Sequence, residues 1–251
     1  MMKYFISPSM KMKPGENFTS LQQELLFPKA TSEVINSLQA LTDQQRQDLW
    51  ACSDRVAHDA NEWVHKLSLD APGSPAILTY QGIQYQAMAP DLMTEEQLKR
   101  LADRLRIVSG LYGLVAPFTE IQPYRLEMKA SLAVAAQPDL YHFWGQRLYK
   151  KLFEEHDVVL NLASKEYSRA ISPYLQTDDQ LITIELLTNK QGKLTQPSTA
   201  VKQARGFFVR DLVERDVTTI EAVKDFSVAG YQFDAGLSSS TVFKFIHNGE
   251  K

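Results

Sequence analysis

The sequence predicts one compact domain of the α+β class, and three observations carry that expectation. Apolar residues recur at helical spacing in several long segments and at alternate positions in several short ones, so helices and strands are both required. At 251 residues the chain is long enough to bury a sizeable core. A hydrophobic fraction of 44% beside a charged fraction of 23% is the balance of an ordinary soluble globular protein, not of a disordered or membrane-embedded one.

Charge and cysteine content narrow the function classes. The net charge is −3, so any nucleic-acid binding must come from a concentrated positive patch, not from global basicity. Cys52 is the single cysteine, which excludes an intrachain disulfide and a cysteine-based zinc or iron–sulfur site within one chain. The apolar stretch Lys3–Ile6 is too short for a signal peptide and no run approaches a membrane span, so a cytoplasmic location is expected. There is no internal repeat, Gly-rich phosphate loop, Gly-x-Ser-x-Gly elbow or His-Glu-x-x-His signature.

Taken in order, Lys3–Ile6 reads as a strand ending at Ser7-Pro8. Thr31–Leu41 and Thr42 to about Leu67 read as helices, the second opened by a Thr42/Gln45 capping box. Leu49, Cys52, Val56 and Ala60 form its expected core stripe. The same segment carries Asp54, His58, Glu62 and His65 near one face; imidazole and carboxylate suit a metal, and a solvated face with i,i+4 pairing gives the same pattern and is preferred. Asp70–Pro75 is a break in the pattern, and 76–88 reads as a hairpin of strands Ile77–Tyr80 and Ile83–Met88 joined at Gln81-Gly82. Thr94–Val108 predicts a helix with a Thr94/Gln97 capping box, a buried stripe of Leu98, Leu101, Leu105 and Val108, and basic residues Lys99, Arg100, Arg104 and Arg106 elsewhere on its surface.

Gly110-Leu111-Tyr112-Gly113 then reads as a tight hairpin whose amides are free to face a partner. A basic helix, a Gly-containing hairpin and a second apolar segment make the layout of a helix-hairpin-helix DNA-binding unit, in which hairpin amides meet phosphate oxygens. Further on, Leu140–His156 reads as a helix and Val158–Leu162 as a buried strand. That strand runs into Ser164-Lys165-Glu166, where a helix start would hold an anion or would simply be a capped turn. Leu181–Leu187 is a strand and Lys202–Glu214 a basic helix. Gly206 inside that helix implies close packing or close approach of a partner. Thr218/Glu221 caps a short helix, and Gly230–Phe233 and Thr241–Ile246 are closing strands.

Several short motifs recur in an ordered set: Ile6-Ser7-Pro8, Ser53-Asp54 with Ala57, Ser109–Gly113, Gln122–Met128, Asp139-Leu140-Tyr141 with Phe143-Trp144-Gly145, Asn161–Ser164 with Glu166-Tyr167, Lys202 with Ala204-Arg205-Gly206, Gly230-Tyr231 with Phe233-Asp234, and Val242-Phe243-Lys244. Together they resemble the YaaA family of bacterial peroxide-stress resistance proteins, nearly end to end. The resemblance implies protection against hydrogen peroxide linked to limiting free iron, and a helix-hairpin-helix element beside a basic cleft. Departures from the family pattern are Met10, where the family lysine is displaced to Lys11, Ala116 before Pro117, and Gln203 and Ala200 in the basic helix.

These readings converge on a DNA-binding protein of the peroxide response that contacts phosphate without reading sequence. The DNA-binding residues expected are Arg104, Arg106, Gly110, Gly113, Arg125, Lys202 and Arg205, and Lys11, Asn161, Ser164, Lys165 and Glu166 are candidates for the same cleft. No catalytic residue, metal or cofactor is assigned, and a monomer is assumed. The alternative is an enzyme acting on a nucleic-acid or phosphorylated substrate in that cleft, where Lys11, Arg125, Glu127, Asn161, Lys165, Glu166, Lys202 and Arg205 are the polar groups that could converge and paired carboxylates could hold a magnesium ion. A protein that itself binds iron is a third reading.

Overall fold

A computed structural model describes residues 2–16, 18–155 and 158–248. The chain opens with β1 (Lys3–Ile6) and the two-residue β2 (Lys11–Met12), then runs through α1 (Pro28–Gln39), α2 (Asp43–Trp50) and α3 (Asp54–Lys66). Next come β3 (Ser74–Pro75), α4 (Ala76–Thr79), β4 (Tyr80–Gln81), α5 (Ile83–Met88) and α6 (Glu95–Arg104). After β5 (Leu105–Ser109), β6 (Gly113–Val115) and β7 (Glu120–Ile121) follow α7 (Leu140–Trp144), α8 (Arg147–Leu152), β8 (Val159–Asn161) and α9 (Lys165–Ser168). The last part is β9 (Leu181–Lys190), β10 (Lys193–Thr195), α10 (Ser198–Glu214), α11 (Ile220–Val223), β11 (Tyr231–Phe233) and β12 (Val242–Asn248).

The main sheet has the order β11-β12-β9-β8-β1-β5-β6, with β10 paired to the far end of β9. Its five central strands, β12, β9, β8, β1 and β5, are mutually parallel. Parallel strands covered on both faces require continuous apolar runs, and Tyr4, Phe5 and Ile6 of β1 are fully buried, as are Val159 and Leu160 of β8. Helix α6 packs against β1 and α10 against β9. One contiguous apolar core runs from Met2 to Phe245, so the result is the single mixed domain expected.

Both capping boxes form as the sequence predicts, at Thr42/Gln45 and Thr94/Gln97. Four expectations on element type need correction. The helix expected from Thr42 to about Leu67 is two, because Ala51 adopts a left-handed φ of 45° and Ser53 starts α3 afresh. Spacing read across that break does not hold: Val56 is exposed, and α3 buries Ala57, Ala60, Asn61 and Val64. The expected hairpin at 76–88 is two short helices around β4, with Thr79 Oγ1 donating back to the carbonyls of Ser74 and Pro75. The helix expected through Val108 stops at Arg104, because Leu105–Ile107 pair in parallel register with Tyr4–Ile6. Finally, the helix expected over Leu140–His156 breaks at Gly145, φ 48°, and its expected end at His156 lies outside the described residues. A smaller shift concerns α11, which is capped by Thr219 and not Thr218.

The break at 70–75 is tied into the domain: Ser74–Pro75 pairs with Glu120–Ile121, and Gln122 Nε2 donates to the carbonyls of Ser68 and Ala71.

Candidate anion-binding cleft

Strands β1 and β8 are neighbours and parallel, yet the chain leaves them in opposite directions. From β1 it returns to β5 on one side, and from β8 it continues to β9 on the other. Such a reversal opens a crevice outside the carboxyl ends of the strands, where open α/β sheets hold ligands. A cleft of about 430 Å³ lies there, reached by the loop after β1, the segment Gln81–Tyr85, the start of α9, Glu127 and α10.

Its floor is built from the two strand ends. The Ser164 amide donates to Ser7 Oγ at 2.8 Å, and the Ser7 carbonyl accepts from the Tyr85 hydroxyl at 2.9 Å and from Gln84 Nε2 at 3.3 Å. Gly82 has φ 126° and ψ 171°, which side-chain-bearing residues avoid. Gly206 resolves the choice posed by the sequence in favour of packing: a Cβ there would lie 2.1 Å from the Gln84 carbonyl oxygen, so α10 and α5 meet backbone to backbone. That contact brings Thr199, Lys202 and Arg205 of α10 to the cleft.

Arg205 is partly buried, and its Nε is shielded from solvent with no hydrogen-bond partner. Its guanidinium has no ion pair among the described residues, and burial alone lowers its pKa to about 10. Lys11 and Lys202 line the same cleft, are exposed, and have no side-chain partner among the described residues. Across from them, Glu166 accepts the Lys129 amide at 3.3 Å, and Glu127 sits 3.6 Å from the Lys129 ammonium. Burial raises the Glu166 carboxyl above the ordinary glutamate value, and the Glu127 charge adds to the rise against the pull of the Lys129 amide. Three cations that are in no ion pair can seat an oxyanion. Among the described residues no group of three or more His, Cys, Asp and Glu converges. The Asp54/His58/Glu62/His65 face is spent on local contacts, with Asp54 accepting from Gln47, Glu62 pairing with Lys66, and His65 meeting Asp43.

The structure thus brings together Lys11, Glu127, Ser164, Glu166, Lys202 and Arg205. Arg125, Asn161 and Lys165 do not line the cleft. Asn161 is buried and shapes the turn after β8, accepting from the Ala163 amide and donating to Thr183 Oγ1. Arg104 and Arg106 lie toward the amino ends of the strands: Arg104 binds Asp216 at 2.7 Å and the Val217 carbonyl, and Arg106 donates to the carbonyls of Ala102 and Leu105. They therefore do not share a cleft with Lys202 and Arg205.

The glycine hairpin also needs correction. Gly110–Gly113 joins β5 to β6 as a buried β-hairpin, and the helix-hairpin-helix arrangement expected there is a helix running into two strands. Its amides face inward: those of Leu111 and Tyr112 donate to Ser109 Oγ at 3.2 and 3.0 Å, and the Gly110 carbonyl accepts from Trp144 Nε1. With both lone pairs of Ser109 occupied, its hydroxyl donates to Tyr124 at 2.7 Å, and the Tyr124 and Tyr80 hydroxyls share a hydrogen bond at 2.8 Å. The turn is buried, and the Leu111 and Tyr112 amides are already taken.

Sequence reasoning missed Ser7, Ser9, Gly82, Tyr85, Tyr167 and Thr199 as cleft residues. The signal was Ser7-Pro8 at the end of a wholly apolar run, the mark of a buried parallel strand whose carboxyl end opens on a crevice.

Residues 2–237 match the family described as peroxide stress protein YaaA. The chain belongs to that family. Among curated relatives, a UPF0246 protein of Limosilactobacillus fermentum is 41% identical over 98% of this chain and 99% of its own length. Others from Ligilactobacillus salivarius and Lactiplantibacillus plantarum are 39% and 40% identical over 98% of this chain, covering 100% and 99% of their own lengths. Membership in the YaaA family supports a role in peroxide stress. No helix among the described residues is long and apolar enough to cross a membrane. Lys11, one place beyond the position of the YaaA-pattern lysine, lines the cleft together with Met10.

Proposed function

We propose that this protein acts in the cytoplasm during peroxide stress by binding DNA, with phosphate held in the cleft at the carboxyl ends of β1 and β8. The observation that carries the reading is the convergence of Lys11, Lys202 and Arg205 on one cleft with none of the three in an ion pair among the described residues. Cations left unpaired in this way attract phosphate irrespective of base sequence, so binding is expected to be strongly salt-dependent and sequence-indifferent. The limitation of free iron enters as a cellular consequence of the same role, and no residue is assigned to it.

Equilibrium binding to a duplex across a salt series tests the reading. Replacing Lys202 and Arg205 by Gln should flatten the plot of log affinity against log salt by about two units, since each neutralised phosphate contributes roughly 0.9. Lys190→Gln with Lys193→Gln, exposed on the β9–β10 hairpin, should leave the slope unchanged. Equal changes in the two pairs would sink the reading. A second reading, an enzyme acting on a nucleic-acid or phosphorylated substrate, is favoured by one observation: Glu166, with its raised pKa, lies beside Glu127 in the cation-lined cleft. Turnover of such a substrate that is lost in Glu166→Gln while binding persists would establish it.

A further inference from the structure

Lys11 and Lys202 stand exposed, whereas Arg205 is partly buried, with its Nε shielded from solvent and unpartnered. A cation drawn partly out of water without a partner is costly, and an anion that reaches it relieves that cost. What kind of phosphate can reach it is a question of shape. An internal phosphodiester of a duplex is flanked by sugar on both sides and runs along the convex surface of a rod. A phosphate at a strand end, or on a free nucleotide, is attached on one side only and can enter a cleft head first.

We propose that the cleft is a subsite for a terminal phosphate monoester, carried by a DNA strand end or by a free nucleotide, seated on the Arg205 guanidinium between Lys11 and Lys202. The proposal rests on the phosphate-binding reading of this cleft and narrows it to one kind of phosphate.

Charge favours the monoester. It carries between one and two negative charges at neutral pH, against one for a diester, and three cations face it. The carboxylates of Glu127 and Glu166 offset part of that positive charge. Arginine suits such a ligand because its planar fork binds phosphate oxygens in pairs, and Nε is one of the donors in that fork. Ser9 adds a hydroxyl: its Oγ accepts the Lys11 amide at 3.1 Å, and its own proton has no partner among the described residues. The volume of about 430 Å³ falls in the range of roughly 300–1,000 Å³ usual for small-ligand sites, which has room for one nucleotide entering end-on.

The test compares a DNA hairpin bearing a 5′-phosphate with the same hairpin ending in a 5′-hydroxyl, alongside thymidine 5′-monophosphate and thymidine, by calorimetry on the full chain. The phosphorylated hairpin should bind about tenfold tighter or more, as charge-assisted hydrogen bonds to one added phosphate allow. Thymidine monophosphate should bind and thymidine should not. Arg205→Gln should erase the difference between the two hairpins, whereas Lys190→Gln should preserve it, and circular dichroism confirms that each variant is folded. Equal affinity for both hairpins with no binding of the nucleotide overturns the proposal, and the DNA reading survives if Arg205→Gln then weakens both hairpins alike. Binding of the monophosphate with no affinity for either hairpin supports the monoester site with a free nucleotide as its source, and it is the DNA reading that fails.

Discussion

Arg205→Met should make the unliganded protein more stable while removing its response to phosphate. Burial holds the Arg205 pKa at about 10, below the ordinary guanidinium value, so the folded state resists carrying this charge. The cost at neutral pH is on the order of 3 kcal/mol at most. The sign follows from linkage: because the folded-state value of a base is depressed, the cost is fully present at neutral pH and is relieved only as pH rises through about 10. Methionine keeps an unbranched apolar stem and removes the charge. Allowing about half of the upper limit for lost contacts and residual hydration, the gain is about 1–2 kcal/mol, or roughly 2–8 °C in Tm for a chain of this size. Thermal unfolding followed by circular dichroism, with and without the 5′-phosphorylated hairpin, reads both effects. Ligand at a hundred times its Kd should stabilise the wild type by about 2.7 kcal/mol and leave Arg205→Met unmoved. A variant that melts well below the wild type would refute the reasoning, because it would mean the guanidinium already has its counter-charge within the protein.

Three further outcomes are expected. Glu166→Gln should raise Tm at neutral pH, and the gain should close as pH falls through the ordinary glutamate range, because burial favours the protonated carboxyl; a difference independent of pH would contradict this. Ser109→Ala should cost about 2–4 kcal/mol in urea unfolding, since the Leu111 and Tyr112 amides and the Tyr124 hydroxyl all lose a partner in the core; a loss under about 1 kcal/mol would mean those groups are satisfied otherwise. Gly113→Val should fail to give a stable fold, because the position has φ 74° and a Cβ would lie 2.7 Å from the Trp144 ring; a well-folded variant that merely loses DNA affinity would restore the hairpin as a binding element.

What the sequence made legible was local chemistry. Thr42 and Thr94 could be assigned as caps because the reciprocal Gln lies within the same turn. Lys3–Ile6 stood out as a strand because a run of buried residues is its own signature. What misled was information held in another part of the chain. Leu105 and Val108 continue a helical stripe, and only pairing with β1 turns them into a strand. The glycine hairpin presents amides on paper, yet Ser109 is already bonded to them. Arg104 and Arg205 look alike in sequence; Arg104 meets Asp216 across 112 positions, and Arg205 has no hydrogen bond or ion pair among the described residues. The cleft was half legible for the same reason. Lys202 and Arg205 share one helix face and could be paired from spacing, whereas Ser7, Gly82 and Tyr85 join them only through strand order. Arg46, buried against Asp43, Asn61 and the carbonyls of Leu38 and Leu41, gave no signal at all in a polar segment.

The most direct measurement is the NMR resonance of the Arg205 Nε–H, assigned by its disappearance in Arg205→Lys and followed as the 5′-phosphorylated hairpin is added. In the free protein that proton is buried and unpartnered. The account predicts a saturable downfield shift as the proton acquires a phosphate oxygen, reversed by salt and absent with thymidine. A resonance that stays in place while DNA binds would show that phosphate is held elsewhere on the molecule and would contradict the account.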